Sequence, residues 1–116
     1  MAGTDANLPT TVPGFSLHDE LEGLHQLGMT NAQALQSATL VPSEFMNSNS
    51  GKIEVGYNAN LVLLDKNPLL DIRNTKAINT VFSNGKVYDR DLLNELLAAV
   101  KAVNDKDRKI DISQYQ

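Results

Sequence analysis

Residues 59–88 read ANLVLLDKNPLLDIRNTKAINTVFSNGKVY, and the organisation of the chain follows from them. Leu61-Val62-Leu63-Leu64 is a short, unbroken apolar run, the pattern of a strand buried on both faces. Asn67-Pro68 caps a brief helical turn through Leu69, Leu70, Asp71 and Ile72. Asn84-Gly85 then separates the strand-like segment Ile78–Phe82 from a second one, Lys86–Tyr88. Both turn residues accept positive φ, so this spacing predicts a two-residue hairpin.

Helical signals lie on the N-terminal side. Asn7 to Gly14 holds Pro9, Pro13 and Gly14 and reads as a surface loop. Ser16 is the expected N-cap of a helix, with Asp19 at the capping-box position and Glu20 in the first turn. Leu17, Leu21 and Leu24 follow at helical spacing, and Gly28 supplies the stop. Thr30 and Gln33 form a second capping box, with Ala32, Leu35 and Ala38 behind it. Pro42 suits the first turn of a third, short helix through Phe45 and Met46. From Asn47 the character changes, and Gly51 and Gly56 flank an expected short strand at Ile53 and Val55. Beyond the hairpin, Leu92, Leu93, Leu96, Leu97, Val100 and Val103 mark an amphipathic helix that starts near Asp89. That helix is expected to run for about 14 residues, with a charged, frayed tail from Asn104. Helices, then strands, then a helix make an α+β pattern.

Composition narrows the function. Of 116 residues 21% are charged, with 10 basic and 14 acidic side chains and a net charge of −4, so there is no electrostatic footprint for nucleic acid. Aromatic residues at 5% argue against base-stacking platforms. No apolar run approaches the ~20 residues of a membrane span, and no signal-peptide pattern is present. Cysteine is absent, which excludes disulfides and thiolate metal ligands and accords with a cytoplasmic protein.

Local chemistry leaves few candidates. Asp5, after Gly3-Thr4, is either a solvated or capping carboxylate or a catalytic group at the end of a strand. His18 and His25 are the only histidines. Seven residues apart on one helix, at ~1.5 Å rise per residue, they lie too far apart to share one ion. His25 reads as a surface or core-edge side chain. His18, beside the loop, is the candidate for substrate binding. The final leucine stripe reads as core or as a dimer face.

The order of the motifs says more than any one of them. The segments G-T-D, P-G-F, E-L-x-x-L, T-x-x-x-A-L-x-x-A-T, G-x-I-x-x-G, L-V-L-L-D and N-P-L-x-D-I run in that order from Ala2 to about Arg90. In that order they resemble the C-terminal region of the amidohydrolase superfamily, closest to its imidazolonepropionase-like and prolidase-like branch. The resemblance implies a metal-dependent hydrolase, usually of zinc, that attacks C–N bonds with a metal-activated water. It also implies that Asp5 is the aspartate ending the last barrel strand, both metal ligand and catalytic group. Two departures stand out. The family's His-x-His pair is absent, and Asn60 stands where an aspartate is usual.

A complete barrel takes about 250 residues, so the expectation is a C-terminal fragment. Residues 1–46 would be a remnant of the last barrel strand with its following helices. Residues 47–90 would form a partial β-sandwich, antiparallel or mixed, and 91–116 an amphipathic helix and tail. Such a chain is expected to be inert alone and to bind no cofactor by itself. It would pair with a second copy or with the missing N-terminal part of an amidohydrolase. The alternative is a non-catalytic binding or assembly module that reuses the same fold.

Overall fold

The computed structural model describes residues 1–3 and 14–107. Three helices precede the strands: α1 (Ser16–Gln26), α2 (Asn31–Ala38) and α3 (Leu40–Phe45). A three-stranded sheet and a long helix follow, namely β1 (Leu61–Leu64), β2 (Ile78–Ser83), β3 (Lys86–Tyr88) and α4 (Arg90–Asp107). A 3-10 helix, Ile72–Lys76, bridges β1 and β2. The architecture is α+β, as the order of apolar patterns predicts.

Helix ends are set by local chemistry. At α1 the helical turn already opens at Phe15, whose carbonyl accepts from His18 N at 3.1 Å. Phe15, not Ser16, therefore occupies the cap, and its side chain forms no capping bond. Asp19 makes no capping box either and instead pairs with Lys76 at 2.8 Å. The C-terminus of α1 is a Schellman motif: Met29 N bonds Leu24 O at 3.1 Å and Gly28 N bonds His25 O at 3.0 Å. Gly28 makes this possible at φ +106°. The second capping box forms as the sequence predicts. Thr30 Oγ1 accepts from Gln33 N at 3.2 Å, and Gln33 Oε1 accepts from Thr30 N at 2.9 Å.

Packing is thin. Leu21, Ala34 and Ile72 are buried together where α1, α2 and the 3-10 helix meet, with Leu24, Leu35 and Ala38 against them. The Ser43 hydroxyl closes the next loop. Its oxygen lies 2.7 Å from both Ser48 O and Ser50 O, which share its one proton, and accepts from Ser50 N at 3.2 Å. Gly51 lies against the backbone of Thr39 at φ +82°, with no room for a Cβ.

The sheet is antiparallel in the order β1-β2-β3. Asn84 and Gly85 turn the hairpin at φ +51° and +75°, so both central residues take the left-handed conformation that the dipeptide predicts. Three further expectations fail. β1 is not buried on both faces: Val62 and Leu63 point to opposite faces and are 53% and 54% exposed, so among the described residues no layer covers either face there. No strand forms at Ile53 and Val55, which have no neighbouring strand among the described residues, and Val55 is 101% exposed. Helix α4 does not fray at Asn104 but runs 18 residues to Asp107. Asp89 caps it, its Oδ1 accepting from Leu92 N at 2.9 Å.

Candidate functional site

An apolar groove of about 610 Å³ runs between the start of α1, β2 and α4. Its walls are Phe15, Ile78, Val81, Leu93, Leu96 and Leu97. The polar groups on it are His18, Asp19, Lys76 and Arg90. Three elements position them. His18 and Asp19 sit on the first turn of α1, Lys76 ends the 3-10 helix, and Arg90 opens α4.

The tautomer of His18 follows from its neighbour. Thr75 Oγ1 donates to Ile72 O at 2.9 Å, so the 3.0 Å contact with His18 uses the hydroxyl as acceptor. The imidazole therefore carries its proton on Nδ1, and Nε2 keeps its lone pair. Burial pushes the His18 pKa below its ordinary value, the Lys76 charge pushes the same way, and Asp19 opposes both. The hydrogen bond from Lys76 lowers Asp19, and the same bond raises Lys76. Across the groove, Arg90 Nη1 donates to Ile78 O at 2.6 Å, which ties the start of α4 to β2. Its Nε is buried and has no partner among the described residues.

A second, more polar cavity of about 350 Å³ lies on the other flank of α1, with His25, Glu22, Asp71 and Arg73 on it. Here His25 Nδ1 donates to Met29 O at 3.0 Å. Arg73 grips Asp71 from Nε and Nη2 at 2.7–3.1 Å and holds its carboxyl at about 2. The two histidines thus face different cavities.

Asp5, the residue expected to bind metal and act in catalysis, lies outside the described residues. His18, the expected substrate-binding residue, lines the apolar groove. Sequence reasoning missed Lys76 and Arg90. Lys76 gave no signal, since it reaches Asp19 across 57 residues of chain. Arg90 gave a faint one, as the basic residue opening the leucine stripe.

The profile of the amidohydrolase family (Amidohydrolase family) matches residues 1–88. The chain belongs to the amidohydrolase family. No curated protein matches it. The match ends just before α4, and so takes in the three N-terminal helices and the whole sheet. Amidohydrolases are generally metal-dependent, and a catalytic zinc typically takes three protein ligands plus water. Among the described residues no three His, Cys, Asp or Glu side chains come together to hold an ion. The described part of this amidohydrolase chain does not by itself fit a metal centre.

Proposed function

We propose that the chain is the C-terminal portion of an amidohydrolase-like hydrolase acting on C–N bonds, in the imidazolonepropionase-like and prolidase-like branch. The observation that carries this is the family match over residues 1–88. In this reading residues 1–46 are a remnant of the last barrel strand and the helices after it, 47–90 part of a β-sandwich, and 91–116 an amphipathic helix and tail. The exposed faces of β1 and the unpaired Ile53 and Val55 support it, since further strands of a sandwich would cover such surfaces. Asp5 is the catalytic and metal-binding aspartate of that enzyme, and His18 contacts its substrate. The chain alone is inert, because the other ligands of the metal are supplied by other polypeptide. That polypeptide is the N-terminal part of an amidohydrolase or a second copy, and the protein works in the cytoplasm.

The test is the metal content of protein purified without added metal or chelator, read by plasma mass spectrometry per chain, with hydrolysis assayed on amides and dipeptides. The expected result is far less than one zinc, manganese or iron per chain and no hydrolysis. Near-stoichiometric metal with hydrolysis that Asp5→Ala abolishes would overturn the inert reading and make the active site an oligomer's.

The apolar groove favours one competing reading, a binding module with no chemistry of its own. No hydrolysis in any assembly, together with assembly unchanged by Asp5→Ala, would select it.

A further inference from the structure

We propose that the groove between α1, β2 and α4 binds a free monocarboxylate with an apolar tail, the carboxylate facing Arg90 and the tail lying along the leucines of α4. Size permits it. Pockets that hold small ligands run about 300–1,000 Å³, and this groove measures about 610 Å³. The walls are aliphatic and aromatic, so an apolar tail gains what Leu93, Leu96 and Leu97 lack, a dry neighbour.

Charge selects the head group. Of the ionisable groups on the groove, Asp19 and Lys76 pair at 2.8 Å and cancel. His18 donates a hydrogen bond from Nδ1 to Thr75 Oγ1 and in its neutral form adds no charge. Among the described residues Arg90 is left as the uncancelled charge, a cation at one end of an apolar surface. One of its donors, Nε, is buried and unsatisfied among the described residues. Buried donors ordinarily find partners, and a guanidinium beside apolar walls matches the geometry of a carboxylate. The neighbouring carboxylates do not fill that role. Asp89 is engaged in capping Leu92 N, and neither it nor Asp91 lines the groove. The inference stands on the groove alone, so its failure leaves the hydrolase reading untouched.

The experiment titrates sodium decanoate, below its micelle concentration, into the full-length protein and follows amide chemical shifts. Decan-1-ol, with the same tail and no charge, is the control. The expected result is saturable shifts at Val81, Leu93 and Leu97, with decanoate at least about tenfold tighter than the alcohol, the scale of a charge-assisted hydrogen bond. Arg90→Gln should remove that preference while the alcohol still binds. Arg90 also holds β2, so a second pair guards against a folding defect. Leu97 is half exposed and tolerates change, and Leu97→Glu should abolish decanoate binding where Leu97→Gln only weakens it. Equal affinity for the two probes, or no shifts at all, overturns the proposal. Shifts at these residues that follow protein concentration and ignore decanoate also overturn it, and make the occupant a second copy.

Discussion

His18 presents the lone pair of Nε2 on a partly apolar surface because its one ring proton, on Nδ1, is held in a hydrogen bond to Thr75 Oγ1. Its pKa lies below 6.5 in the folded protein, chiefly through burial. Between the folded value and 6.5 the unfolded chain binds more protons, so stability rises with pH across that window and falls as pH drops through it. Asp19 is lowered from 3.8, so its contribution is lost only in stronger acid. We expect the urea midpoint to fall between about pH 7.5 and pH 5.5, and to fall by less in His18→Gln. An identical slope in the variant would sink this account. None of it is legible in the sequence, because His18 and Thr75 stand 57 residues apart. The conformations of Asn84 and Gly85 are legible, because the dipeptide itself demands them.

At the scale of elements, the second capping box formed as read. The Thr30–Gln33 box needs four residues and nothing else, and it is present with both of its bonds. Thr30→Ala should cost about 1 kcal/mol, measured by thermal or denaturant unfolding. A loss under a few tenths would mean that the packing of Ala34 alone holds α2. The N-cap of α1 misled because Gly14-Phe15 opens the helical turn early and Lys76 recruits Asp19, a tertiary event no local motif announces. β1 misled for a different reason. An unbroken apolar run tells what a strand wants to touch, not whether the partner is there. Its exposed Val62 and Leu63 are therefore the part of the candidate assembly that the sequence spelled out and the single chain leaves open.

As a whole, the molecule is extended for its size. The radius of gyration is 17.2 Å, where a compact domain of ~100 residues has about 13 Å. Its principal extents are 54 × 33 × 29 Å, and among the described residues the buried apolar core is Leu21, Ala34 and Ile72. So small a core leaves apolar area to be covered by association, and among the described residues β1 has one edge with no neighbouring strand. Sedimentation velocity at tens of micromolar should show species heavier than the monomer. Val62→Lys, which charges the exposed edge strand, should shift them toward monomer. A wild-type chain that stays strictly monomeric counts against this. The candidate site shows the same division at large. Its family was legible from the order of motifs along the chain, whereas its groove, built from α1, β2 and α4, exists only once the chain is folded.

Helix α4 begins just beyond the residues shared with the family and is tied to the sheet at its first turn, where Arg90 meets Ile78. Further along, Val100 and Val103 are 67% and 60% exposed. Folding exerts almost no selective pressure on these two positions, so mutation can explore them freely. Apolar residues kept there in relatives would point to a use other than folding, and free drift toward polar ones would point to none.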